Sequence, residues 1–130
     1  MLYNSIMRFI LLFGIALGLH AQSANVASLL AKDIPEFAGK EVIMLTVAYP
    51  PGHASSPHRH NAHVFVYVLE GTVAMQVEGG EAKTLGPGET FYEKPSDIHT
   101  VSKNASATVP AKILVLMLKD KDSPVTRPVR

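Results

Sequence analysis

Residues 50–71 read PPGHASSPHRHNAHVFVYVLEG and hold four of the chain's six histidines, His53, His58, His60 and His63. A polar surface loop would account for the composition, but the spacing asks for more. In an extended chain successive side chains alternate between faces, so residues two apart point the same way. His58 and His60 therefore present two imidazoles side by side, with Arg59 aimed opposite. Two neutral ring nitrogens so placed suit Fe, Mn, Zn, Ni or Cu, and a third ligand from another strand would complete a face. His99, distant in sequence and set in a second turn-bounded stretch, is the candidate third ligand.

Outward from this stretch the chain reads as short strands cut by glycine and proline. Upstream, Val42 to Ala48 (VIMLTVA) is rich in β-branched residues and stops at Pro50-Pro51-Gly52. Downstream, Val64 to Leu69 forms a second strand, and Glu70-Gly71 is expected to turn it into Thr72 to Val77 as a tight hairpin that pairs Val68 with Val73 and Val66 with Met75. Further turns at Glu78-Gly79-Gly80-Glu81 and Gly86-Pro87-Gly88 separate a short run near Leu85, the segment Thr90 to Glu93, the region of His99 and the run Ala111 to Leu118. Many short strands with almost no helical periodicity define an all-β sandwich or barrel over residues 41–118. Residues 24–40 read as a lead-in with one helical turn, and residues 119–130 as a charged, proline-containing surface tail.

The N-terminus has a different character. Met7-Arg8 precedes the uncharged run Phe9 to Leu19, FILLFGIALGL, which is shorter than the ~20 apolar residues a bilayer span needs. A basic residue, a short apolar run and then small residues make a secretory signal peptide over residues 1–23, with cleavage after Ala21 or Ser23 and Met7 as the expected start. The expected product is exported, to the periplasm or beyond, with no stable membrane anchor. Of the 12 Lys and Arg, Arg8 leaves with the signal, so 11 basic residues balance 11 acidic ones, which argues against nucleic acid as a partner. There is no cysteine, so stability rests on the core rather than on disulfides. No phosphate-binding glycine loop or nucleophile elbow is present.

The stretch Gly52 to Gly71 resembles the first motif of the cupins, G-x5-H-x-H-x3,4-E-x6-G, with Gly52, His58, His60 and Gly71 in register. The second motif, G-x5-P-x-G-x2-H-x3-N, is looser. Gly88 and His99 fit it, Lys94 and Ser96 replace the Pro and Gly, and Pro95 and Asn104 each lie one residue beyond their slots. The resemblance covers residues 42–118 and implies a double-stranded β-helix, or jelly roll, with a divalent metal inside, a small-molecule ligand, and pairing into a homodimer. It carries over His58, His60 and His99 as ligands. The family's acidic ligand falls on Val64, which coordinates nothing. Some cupin dioxygenases are similar in holding iron through three histidines without a carboxylate, and such a neutral set leaves the full charge of the ion for an anionic partner.

Counting by twos from His60 puts Val64, Val66 and Val68 inward and His63 outward with Phe65 and Tyr67. Only a bulge near Asn61-Ala62 would bring His63 in as a further ligand. His53 falls in the loop at the barrel mouth. Tyr92 and Glu93, just ahead of the turn to His99, are the remaining catalytic candidates. Glu93 could orient a ligand histidine, act as acid or base, or simply face solvent. Val64, Val66, Val68, Val73, Met75 and Val77 are the expected lining of an apolar pocket. The leading expectation is an exported three-histidine metal-dependent dioxygenase or related oxidoreductase. A non-catalytic carrier or sensor of a small molecule or metal, and a zinc or manganese hydrolase or isomerase, are the alternatives.

Overall fold

The computed structural model describes residues 22–129, so the expected signal segment lies outside the described residues except for Gln22 and Ser23. Ten strands follow in order: β1 (Asn25–Asp33), β2 (Lys40–Tyr49), β3 (His58–Arg59), β4 (Ala62–Glu70), β5 (Val73–Val77), β6 (Lys83–Leu85), β7 (Thr90–Glu93), β8 (His99–Asn104), β9 (Ala111–Asp120) and β10 (Arg127–Pro128). They form two five-stranded sheets, ordered β1-β2-β9-β4-β7 and β10-β3-β8-β5-β6.

The alternation in the sequence decides which side of each strand is dry. Along β4, Ala62, Val64, Val66 and Val68 are buried while Phe65 and Tyr67 are exposed. Along β9, Ala111, Ile113, Val115 and Met117 are buried in the same rhythm. These rows meet Val73 and Met75 of β5 and Ile43 and Leu45 of β2 in one core between the sheets. The inward row of β9 finishes on Lys119, whose buried ammonium is held by Glu41 Oε1 at 2.7 Å and by the carbonyl of Asp120 at 2.8 Å. A buried cation so paired is tolerated, whereas an unpaired one would be expensive.

Two expectations are corrected. Glu70-Gly71 does not close a hairpin: β4 pairs with β9 and β7, and β5 pairs with β8 and β6, so Val68 and Val66 are not cross-strand partners of Val73 and Met75. The turn instead carries the chain from one sheet to the other, and inward alternation is the same whichever partner a strand has. The lead-in is not helical, because Asn25–Asp33 forms a nine-residue edge strand along β2. Within the expected surface tail, Arg127 and Pro128 are exposed and pair with Arg59 and His58.

Two corners make these sheet changes possible. At Asn61 the chain leaves β3 for β4 with φ +50, a left-handed conformation that Asn accepts more readily than most residues. At Gly71 it crosses back with φ +69, and a Cβ there would stand 2.4 Å from the carbonyl oxygen of Pro110. Gly79 has a similar φ of +76 but open space around it. Gly79→Ala should therefore cost only the left-handed penalty of about 1–2 kcal/mol. Gly71→Ala should lose about 1–3 kcal/mol more through the clash. Urea unfolding of the two variants checks this, and equal midpoints would contradict it.

Candidate metal centre

The ladder brings the histidines together from three positions. His58 and His99 are direct cross-strand partners between β3 and β8. His60 follows two residues after His58 and shares its face. One ring nitrogen from each of the three lies within 4.8 Å of the others, a grouping that could hold a metal ion. The ring centroids of His58 and His60 are 4.7 Å apart, and those of His58 and His99 5.1 Å. Phe91 stacks on the His99 ring at 5.9 Å and backs it from inside the core.

Hydrogen bonds set the tautomers of the first two rings. His58 Nδ1 donates to the carbonyl of Ser56, and His60 Nδ1 to the carbonyl of Val125, both at 2.7 Å. Each neutral ring then carries its lone pair on Nε2, and these two atoms face each other at 3.1 Å. Two lone pairs so close repel unless a proton or a metal cation stands between them. The spacing also suits two nitrogens each about 2.0–2.1 Å from one ion. Burial lowers the pKa of the His58 imidazole, and the His60 and His99 rings push it in the same direction, against the upward pull of the Ser56 hydrogen bond. The neutral form that a metal requires is therefore favoured.

His99 is only 3% exposed, and neither of its ring nitrogens has a hydrogen-bond partner among the described residues. Buried polar atoms are rarely left this way without a role. Glu93 Oε1 approaches His99 Nδ1 to 3.1 Å without forming a hydrogen bond, and Glu93 Oε2 is 4.0 Å from His60 Nε2. The donor set and its orphaned nitrogens fit a divalent cation.

The cluster opens into a cavity of about 370 Å³. Val64, Val66 and Met75 line it as expected, joined by Leu45, Val47, Ile113, Val115 and Met117. Val68 and Val73 are wholly buried core, and Val77 packs against that core instead of lining the cavity. On the polar side Tyr49 and Ser102 form a buried hydroxyl pair at 2.9 Å, and burial raises the Tyr49 pKa so that the phenol keeps its proton. Segments read as peripheral close the mouth: Ala24 and Val26 from the N-terminal side, and Val125, Thr126 and Pro128 from the tail. Nothing in their composition announces this, because it depends on where two edge strands dock.

The other candidates fall elsewhere. His63 points outward, as alternation demands, and its Nδ1 lies 2.7 Å from the Tyr92 hydroxyl. Tyr92 is 46% exposed on that outer face and does not line the cavity. His53 stacks on Tyr49 at 5.5 Å, with its ring nitrogens engaged by Gln22 O and Ser55 Oγ. Glu93 is only 2% exposed, so the solvent-facing reading of that residue is overturned.

The chain belongs to the cupins: the cupin domain family matches it over residues 45–117, which include His58, His60 and His99. Among solved structures it resembles a cupin 2 domain-containing protein from Halorhodospira halophila, with a TM-score of 0.64 and 19% identity over 82% of this chain and 70% of that one. It also resembles the DMSP lyase DddQ from Ruegeria pomeroyi, with a TM-score of 0.61 and 23% identity over 68% of this chain. An oxalate oxidase matches with a TM-score of 0.61 and 24% identity over 82% of this chain and 55% of its own. The chain spans 43% of the lyase's length, and at such identities the likeness establishes the fold alone. No curated protein matches it by sequence.

The Val125 carbonyl ties the tail to His60, so removal of residues 124–130 should free that ring and open the cavity. Metal affinity is expected to fall about 10–100-fold, the usual effect of losing an outer partner of a ligand histidine. Cobalt titration of the truncated and full chains, with circular dichroism to confirm the fold, measures it. Unchanged affinity would contradict the positioning role.

Proposed function

We propose that this cupin is an exported metal-dependent oxidoreductase of the dioxygenase type, with His58, His60 and His99 as metal ligands and a small organic molecule as substrate. The observation that carries the reading is the convergence of three histidine nitrogens on one wall of a mainly apolar cavity. A divalent ion held there supplies Lewis acidity and, if it is redox-active, exchange of electrons with dioxygen. The valine and methionine walls take up the apolar body of the substrate and exclude water, which disfavours hydrolysis. Among the described residues, the polar side chains lining the cavity besides the histidines and Glu93 are Tyr49, Ser55, Ser56, Ser102 and Thr126. They can orient a polar substituent, but none is a base near neutral pH.

Export is supported by the signal-like pattern of residues 7–23. A homodimer is supported by the outer face of β4 and β7, where Phe65, Tyr67 and Tyr92 are exposed side by side.

Tag-free mature protein should contain one equivalent of metal, and His58→Ala and His99→Ala should lose it while keeping the fold. Oxygen uptake with diketones, phenols or thiols should then depend on the metal. A wild-type protein that holds metal yet consumes no oxygen with any of these classes would count against the oxidoreductase reading. A protein that remains metal-free after loading with Fe, Mn, Co, Ni, Cu and Zn would remove its basis.

A further inference from the structure

We infer that Glu93 is a fourth metal ligand, and that it replaces from the neighbouring strand the carboxylate missing at Val64. The inference rests on the three-histidine reading above and extends it. Val64 on β4 and Glu93 on β7 are direct cross-strand partners. Opposed residues of an antiparallel pair point to the same face with Cβ atoms about 4.5–5.5 Å apart. A glutamate at either position therefore projects into the same space, and here the acid is carried one strand over.

The surroundings of Glu93 agree. It is 2% exposed, and its carboxylate meets His99 Nδ1 at 3.1 Å and His60 Nε2 at 4.0 Å, one oxygen toward each. A carboxylate that only oriented His99 would accept the ring N–H in line, yet His99 Nδ1 makes no hydrogen bond among the described residues. A carboxylate this deeply buried is rarely left without a partner. Among the described residues, no lysine or arginine lines the cavity. A metal ion among His58, His60 and His99 would be such a partner.

The consequence is a change in charge. Three neutral imidazoles would leave the full charge of a divalent ion to the substrate, whereas three imidazoles and Glu93 leave a net charge of about one. The centre is then matched to a singly charged anion, such as a monocarboxylate or an enolate, in preference to a dianion.

Cobalt binding to the full, metal-stripped chain tests this by titration and by a crystal structure of the loaded protein. The expected structure has a Glu93 oxygen within about 2.0–2.2 Å of the ion beside the three imidazole nitrogens. Glu93→Gln, which preserves shape, should still bind cobalt but at least about tenfold more weakly; an outer partner of a ligand histidine would give a similar loss, so the Glu93–cobalt distance in the loaded structure decides between the two roles. Glu93→Val should weaken binding similarly, and the double variant V64E/E93V should recover most of it by returning the acid across the ladder. Circular dichroism confirms that each variant is folded. Cobalt held by three histidines with Glu93 outside bonding distance would overturn the inference and leave the three-histidine centre standing. Affinity of Glu93→Gln within about twofold of wild type would do the same. A wild-type chain that takes up none of Fe, Mn, Co, Ni, Cu and Zn would overturn both.

Discussion

The structure turns on lone pairs. His58 and His60 spend their Nδ1 protons on the Ser56 and Val125 carbonyls, which leaves two unprotonated Nε2 atoms 3.1 Å apart. His99 is buried beside them with both nitrogens unanswered. In water such groups would each find a partner at no cost. In a cavity walled by valine and methionine they cannot, and a cation shared among them is the simplest resolution. Much else in the fold serves to bring those rings together: the β3–β8 pairing that sets His58 against His99, the Phe91 ring behind His99, and the tail strand that pins His60.

The jelly-roll topology explains how so small a chain builds such a site. Consecutive strands β4 and β5 lie in opposite sheets, so the turn at Gly71 crosses the core instead of folding back. The short β3 stands beside β8 on one wall, while β4 and β7 supply Val64 and Glu93 from the other. The cavity is therefore lined by both sheets and capped by the two segments that flank the barrel in sequence. The metal reading and the apolar pocket are two aspects of one arrangement.

Much of this was legible in the sequence, for identifiable reasons. The period of two is local, so the inward placement of Val64, Val66 and Val68 and the outward placement of His63 follow by counting from His60. The two motif segments brought His99 into consideration despite its distance along the chain. Strand pairing is not local, and the apolar alternation on either side of Glu70-Gly71 looks the same for a hairpin and for a crossover. Asn25–Asp33 lacks alternation because it lies exposed on a sheet edge, so its strand was hidden. The burial of Glu93 was hidden for a related reason: its position opposite Val64 exists only once the register of β4 and β7 is known.

The central claim is that the converging histidines exist to hold a cation. The unfolding temperature of the metal-stripped chain, measured alone and with each of Fe(II), Mn(II), Co(II), Ni(II), Cu(II) and Zn(II), tests it most directly, because an ion bound only by the folded state must stabilise that state. At least one of these ions should raise the unfolding temperature, with the effect tracking occupancy of a single site per chain. An unfolding temperature unmoved by all six ions would contradict the account.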